Sequence, residues 1–406
     1  MSLKSFNHFE TLCTKPIKEV RNTANHQLGI NPSSAFRFDN TADSIKAFLS
    51  QPGSHVYSRY GNPTVDPVGQ RIAELEVSGS KTKAYGVLTS SGMAAIHICL
   101  QSLLLPGDTV ITQEILYGGT SELLNKVFVP QKIKVLNLNF SNLISLEKNL
   151  LKLKGNKVIY LETPVNPNLA CVDIKAVSKI AKKIKVLVIV DNTFCTAYIQ
   201  KPLLLGADIV LHSTTKFLHG HGVSMGGAIV TKDKLLMHDK IWPFLKLIGS
   251  TSNAFDAWLI HLGLKTLHIR MQRHCDNAMA LANYLNQHEN VQKVNYPGLD
   301  NHKDHNIAKN QMNGFGALLS FEVKGSIQNA KRVMDGLSLA AIAPSLGETD
   351  TMVLHPASSS HLRVDKKLRE QHGISDTLIR VSVGIENIED IINDFNIALD
   401  FKIRAK

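Results

Sequence analysis

The segment Leu211-His-Ser-Thr-Thr-Lys216-Phe-Leu-His-Gly-His-Gly222 places three hydroxyls and an amine at the end of an apolar run, just ahead of two glycines. The C-terminal edge of a parallel sheet is where α/β proteins bind ligands. A lysine withdrawn from water at such an edge becomes a nucleophile able to form a Schiff base with an aldehyde cofactor. A surface-loop lysine is the alternative, and it suits most of the 45 basic residues. The hydroxyls and glycines around Lys216 favour the first reading.

Four other places carry chemistry. Asp191 ends the apolar run Val-Leu-Val-Ile-Val, where a carboxylate can keep a pyridinium nitrogen protonated and the ring an electron sink; helix capping and metal ligation are the other uses of such an aspartate. Thr89-Ser-Ser-Gly92-Met93-Ala-Ala opens a helix on small residues, so that free N–H groups can cradle a phosphate. A plain turn before a helix reads the same way. Tyr57-Ser-Arg59-Tyr-Gly-Asn-Pro-Thr sets a phosphate-binding arginine beside a tyrosine in a turn-rich loop, or is a solvated turn. Arg380 lies inside the apolar stretch Leu378–Val383 and needs an anion there, a bound one or the partner in a buried structural ion pair.

These residues need a scaffold that ends several strands at one edge. A helical run from Met93 to Leu105 is followed by Gly107-Asp108, the short strand Thr109–Thr112 and a helix from about Ser121. Apolar runs at Val158–Leu161, Val186–Val190, Ile209–Leu211 and Ala228–Val230 read as parallel strands buried on both faces. The pattern predicts an extended arm over 1–60, a doubly wound α/β domain over 61–255 and an α+β domain over 256–406. The last contains one long helix from Trp258 to Leu285, strands at Ala317–Phe321 and Leu378–Val383, and a final helix from Ile388 to Phe401.

The 406 residues are 44% hydrophobic and 19% charged, an ordinary globular balance with no stretch able to span a bilayer. Five scattered cysteines without a CxxC pair suggest neither disulfides nor a metal site, and no secretory signal opens the chain, so a cytoplasmic enzyme is expected. The net charge of +11 admits a non-catalytic nucleic-acid-binding protein as a distant alternative, but the lysines are dispersed and lack interleaved aromatics.

In order along the chain, Tyr57-Ser-Arg59-Tyr-Gly-Asn-Pro-Thr, Ser91-Gly92-Met93-Ala-Ala, Leu116-Tyr117-Gly-Gly-Thr, Glu162-Thr-Pro-Val-Asn166-Pro-Asn, Val190-Asp191-Asn-Thr193, Ser213-Thr-Thr-Lys216, Ser345-Leu-Gly, His355-Pro-Ala-Ser and Ile379-Arg380-Val-Ser-Val-Gly resemble the pyridoxal 5′-phosphate (PLP) enzymes of cysteine and methionine metabolism. The resemblance runs from about Tyr57 to Phe401 and implies the type I PLP fold, with a mostly parallel doubly wound sheet and a smaller α+β domain. It implies that Lys216 carries the cofactor and shuttles protons, that Asp191 pairs with the ring nitrogen, and that Tyr117 stacks on the ring and helps a leaving group depart. Gly92, Met93, Ser213 and Thr215 would hold the phosphate, completed by Tyr57 and Arg59 across a dimer interface within a homotetramer. Arg380 would clamp the substrate carboxylate, supported by Ser345 and Asn166, with Thr193 and Glu162 around the ring.

The family chemistry implied is γ-replacement or γ-elimination on an activated homoserine or sulfur amino acid, with a cystathionine β- or γ-lyase as the alternative. Cystathionine-handling members commonly carry Glu three residues after Ser-Leu-Gly, where this chain has Asp350. Gly119 departs from methionine γ-lyases with cysteine at that place, whereas His355-Pro-Ala-Ser-Ser-Ser-His361 looks more like sulfhydrylases and methionine γ-lyases.

Overall fold

The computed structural model describes residues 7–17, 25–49, 54–362 and 365–400. The strands are β1 Tyr85–Thr89, β2 Thr109–Thr112, β3 Lys134–Asn137, β4 Lys157–Glu162, β5 Leu187–Asp191, β6 Ile209–Ser213, β7 Gly227–Thr231, β8 Val291–Asn295, β9 Leu318–Val323, β10 Ala341–Ile342, β11 Met352–Leu354 and β12 Leu378–Ser382. A seven-stranded, mostly parallel sheet runs β1-β7-β6-β5-β4-β2-β3, and a five-stranded sheet runs β10-β11-β12-β9-β8. The mostly parallel sheet and smaller second sheet are those of the type I fold expected from the sequence. The chain divides into two compact units, Met1–Leu105 with Asp208–His268 and Pro106–Ala207 with Ile269–Lys406.

In the first unit β7 is antiparallel to both β1 and β6. The helix Val65–Glu76 lies against β1 through glycine on each side: a Cβ on Gly86 would come within 2.3 Å of the Gly69 carbonyl oxygen. Such an approach admits only residues without side chains. The helix Gly92–Leu103 starts at Ser91, whose hydroxyl accepts the Ala94 N–H at 3.0 Å and satisfies one of the otherwise orphaned donors of the first turn.

In the second unit β5, β4, β2 and β3 are parallel neighbours. Their core gathers Ile111, Ile159, Leu161, Val188 and Val190 with Ile174, Val177 and Ala181 of the helix Ile174–Lys183. Each fully buried aliphatic side chain of this kind contributes about 1.5–3 kcal/mol. A separate core joins the five-stranded sheet to the helices Leu267–Gln287, Ile327–Gly336 and Ile388–Leu399 through Leu281, Phe321, Val333, Val381 and Phe395.

Three expectations change. The strand around Ala228–Val230 is antiparallel; it is buried on both faces all the same, so its apolar run carries no mark of direction. The long helix expected from Trp258 to Leu285 is two helices, Ala254–Lys265 and Leu267–Gln287, parted at Thr266, whose N–H bonds back to Gly263 and Leu264 carbonyls. The segment expected to be extended contains the short helices Phe9–Thr14 and Thr41–Phe48; residues 1–6, 18–24 and 50–53 of that arm, and Phe401 of the final helix, lie outside the described residues.

Candidate active site

In the first unit β6 ends at Ser213 and the chain turns at once: Lys216 N–H donates to the Ser213 carbonyl at 3.2 Å and Gly220 N–H to the Lys216 carbonyl at 2.8 Å. Thr215 Oγ1 accepts the Gly226 N–H at 3.0 Å, which ties the turn to the entry of β7. Ser213, Thr215 and Lys216 are all half-buried. Gly92, the first residue of its helix, sits against this turn so closely that a Cβ there would lie 2.7 Å from Ser213 Cβ. Gly92, Met93 and Ser213 are thereby one group: helix-start N–H donors beside a hydroxyl.

Tyr57 and Arg59 belong to an aromatic cluster of the same unit. The Arg59 guanidinium lies 4.9 Å from the Tyr60 ring centre and 5.6 Å from that of Tyr57, and its Nη1 donates to the Lys246 carbonyl. Lys246 Nζ in turn stands 4.4 Å from the Trp242 ring. A cavity of about 470 Å³ opens here, lined by Arg59, Tyr60, His55, Asp66 and Lys246. Tyr57 remains 42% exposed.

In the second unit β4 and β5 end side by side, with Glu162 in register with Asp191. Glu162 is 6% exposed and has several partners. Its Oε2 accepts the Tyr117 N–H at 2.8 Å, its Oε1 accepts the Thr120 hydroxyl at 3.2 Å, and Gln113 brackets its peptide group on both sides. The Tyr117 backbone is fixed in this way while its side chain stays open, the residue being 48% exposed. Burial, reinforced by the Asp191 charge, pushes the Glu162 carboxyl up to about 8. Asp191 Oδ1 accepts the Thr193 N–H at 3.0 Å, and its Oδ2 accepts the Tyr160 hydroxyl at 3.4 Å.

Arg380, on β12, is 4% exposed. Its Nη2 donates to the Ser345 carbonyl at 2.6 Å, and its Nε is buried with no partner among the described residues. Burial draws the guanidinium down to about 10, with Tyr117 acting in the opposite direction. A buried cation so incompletely paired suits an incoming anion. Asn166, 8% exposed, follows β4 in a turn where Leu169 N–H bonds to the Val165 carbonyl at 2.8 Å. Asp350 is exposed to solvent.

The structure joins Gly92 with Ser213, Thr193 with Asp191, and Arg380 with Ser345, the last through the Ser345 backbone. It adds Tyr160, Thr120 and Gln113, none of which the sequence reading singled out. Tyr160 could have been found by strand alternation, since it is two residues before Glu162 and shares its face. The residue types of each unit fit a phosphate-bearing aromatic aldehyde: in the first, an amine next in sequence to hydroxyls, and a helix start whose Gly92 packs too close to Ser213 for any side chain; in the second, a carboxylate at a strand end that suits a ring nitrogen.

Residues 10–400 match the family of Cys/Met metabolism PLP-dependent enzymes. The chain is 44% identical to an L-methionine gamma-lyase of Fusobacterium nucleatum subsp. nucleatum, covering 91% of this chain and 92% of the relative. It is 43% identical to a cystathionine beta-lyase of Lactococcus lactis subsp. cremoris over 87% of this chain and 90% of that one. Among solved structures, a cystathionine gamma synthase of Xanthomonas oryzae pv. oryzae in complex with cystathionine superposes with a TM-score of 0.88 at 37% identity, covering 96% of this chain and 97% of that one. With Lys216 in the turn after β6 and Asp191 at the end of β5, the chain belongs to the PLP-dependent enzymes of cysteine and methionine metabolism, and its cofactor is pyridoxal 5′-phosphate.

Proposed function

We propose that this enzyme breaks the bond between the γ-carbon of an L-amino acid and a sulfur or oxygen leaving group, then either releases a keto acid or joins a thiol or sulfide to the same carbon. The observation that carries this reading lies within one unit: Tyr117 is anchored by its N–H on the buried Glu162 while its side chain stays open, and Arg380 stands buried with a donor to spare. One residue can serve the leaving group and the other the substrate carboxylate.

Bound PLP supplies an electron sink for charge developing on the substrate carbons. Lys216 holds it through its amine and moves protons among the α, β and γ positions. Asp191 keeps the ring nitrogen protonated, Thr193 fixes the Asp191 carboxylate, and Tyr117 lies on the ring and protonates the departing group. Gly92, Met93, Ser213 and Thr215 bind the phosphate, and Tyr57 and Arg59 complete the phosphate site of a second copy, which makes a dimer the smallest active form and a dimer-built tetramer the assembly. The exposed ring of Tyr57 and the open cavity beside Arg59 support that role. Arg380 clamps the substrate carboxylate, steadied by the Ser345 carbonyl and by Asn166. Residues 1–60 serve subunit contacts, 61–255 the cofactor and 256–406 the substrate carboxylate; the enzyme works in the cytoplasm.

The 44% identity to a methionine gamma-lyase supports elimination, and the likeness to a cystathionine gamma synthase supports replacement. A second reading, β-elimination, draws on the 43% identity to a cystathionine beta-lyase. Incubating the holoenzyme with methionine, cystathionine, and O-acetyl- and O-succinylhomoserine, with and without sulfide or cysteine, decides among them. A four-carbon keto acid with ammonia, or a new γ-thiol from sulfide or thioether from cysteine, is the expected product. Pyruvate from cystathionine as the main product would replace the γ reading with the β one.

A further inference from the structure

Glu162 and Asp191 end neighbouring parallel strands in register, and one hydroxyl reaches both of them. Tyr160 Oη lies 3.2 Å from Glu162 Oε1 and 3.4 Å from Asp191 Oδ2. A phenol has a single hydrogen to give. The second contact would therefore join two acceptors unless one carboxyl brings a proton of its own. Glu162 is the better holder, being buried where Asp191 is only half-buried.

The ionisable groups facing Glu162 are Asp191 from β5 and Tyr160 from β4; from the segment after β2 come the Tyr117 N–H and the Thr120 hydroxyl. Asp191 raises the Glu162 carboxyl further above the ordinary range, to about 8. Burial also keeps the Tyr160 phenol protonated. A protonated Glu162 can donate from Oε1 to Tyr160 Oη, and Tyr160 can then donate to Asp191 Oδ2. Oε2 of Glu162 meanwhile keeps the Tyr117 N–H.

We propose that Tyr160 is a positioning residue for Asp191, passing a hydrogen bond from a proton-bearing Glu162 so that Asp191 is the charged member of the pair and its carboxylate is held toward the cofactor ring. This rests on Asp191 being the partner of the ring nitrogen. One buried carboxyl then orients the two residues proposed to hold the ring: Asp191 through Tyr160, and Tyr117 through its backbone.

Infrared spectra and cofactor affinity test it on the holoenzyme. The wild type is expected to show a carboxylic-acid carbonyl band that is lost with a midpoint near pH 8, and Glu162→Gln to lack it. Tyr160→Phe is expected to weaken PLP binding about tenfold, the scale of one hydrogen bond to a charged group. Wild-type affinity should fall as pH rises through about 8, whereas in Glu162→Gln, whose amide copies the donor of the protonated acid, it stays flat. A wild type without the band, or a Tyr160→Phe enzyme that binds PLP as tightly as the wild type, overturns the proposal. Asp191→Asn separates the two failures. If it too leaves PLP affinity and the visible spectrum unchanged, the ring-nitrogen assignment falls; if it disrupts both while Tyr160→Phe does nothing, only the relay falls. Thermal melting of the variants exposes any misfolding, and the wild-type spectra depend on no variant.

Discussion

Glu76 Oε1 and His212 Nε2 meet at 2.6 Å with both side chains fully buried. Glu76 ends the helix Val65–Glu76, and His212 immediately precedes Ser213 on β6, so this contact pins the strand that leads to Lys216. Replacing either residue by alanine leaves the other polar group buried with less to bond, a loss of about 1–3 kcal/mol. Glu76→Ala and His212→Ala are expected to lower Tm in thermal scans. An unchanged Tm would show the pair to be dispensable.

Lys216→Ala removes the only amine proposed for covalent attachment. The variant is expected to lose the visible absorption that borohydride bleaches and fixes to the wild-type chain, and the turnover rate should fall about 100- to 10,000-fold, the usual contribution of a positioned proton-transfer group. Borohydride-fixed cofactor mapped to another lysine would refute the assignment.

Arg380→Lys keeps a cation but not the planar fork that matches a carboxylate. If one charge-assisted bond to substrate is lost, at about 1.5–3 kcal/mol, KM rises roughly ten- to a hundredfold. Visible spectra of the substrate-free holoenzyme should not change. A rise in KM no larger than twofold would place the substrate carboxylate elsewhere.

Gly92→Ala puts a methyl group 2.7 Å from Ser213 Cβ and 3.0 Å from Ser213 Cα, inside van der Waals contact with backbone that cannot turn away. PLP retention on dialysis is expected to fall. Ser213→Gly on top of Gly92→Ala relieves the clash, so the Tm lost in the single variant should return in part. Full PLP retention by Gly92→Ala would show that the turn has room.

His261 and His274 are buried, and burial holds both down to about 4; His274 donates its Nδ1 hydrogen to the Val383 carbonyl at 2.7 Å. In the unfolded chain a histidine takes up its proton near 6.5. Between those values the unfolded state binds more protons, so stability is present above about pH 6.5 and is lost as pH falls toward 4. Chemical denaturation across this window is expected to show the decline, with a shallower slope in His261→Gln and His274→Gln variants that fold. Equal slopes would remove both residues from the account.

Much of this architecture is legible in the residues themselves. Thr109–Thr112 is a strand as read, because four apolar or β-branched residues stand between Gly107-Asp108 and a polar glutamine. The places of Lys216, in the turn after β6, and Asp191, at the end of β5, were legible because a reactive side chain following an apolar run is conspicuous. Thr266 was not: neither glycine nor proline marks the break, and the apolar pattern continues across it. Tyr160 was hidden for a related reason, since an aromatic residue in a buried strand reads as core until the carboxyls at the strand ends are seen beside its hydroxyl.

Each compact unit is built from two stretches of chain, the first closing only with Asp208–His268 and the second only with Ile269–Lys406. During synthesis the opening 105 residues must therefore wait through the next 102, Pro106–Ala207, before their own partners emerge. A nascent chain of 207 residues would hold part of each unit and the whole of neither, with strand edges and apolar faces uncovered. The interleaving that brings distant segments into one unit thus makes the growing polypeptide dependent on protection from aggregation until most of its length has been made.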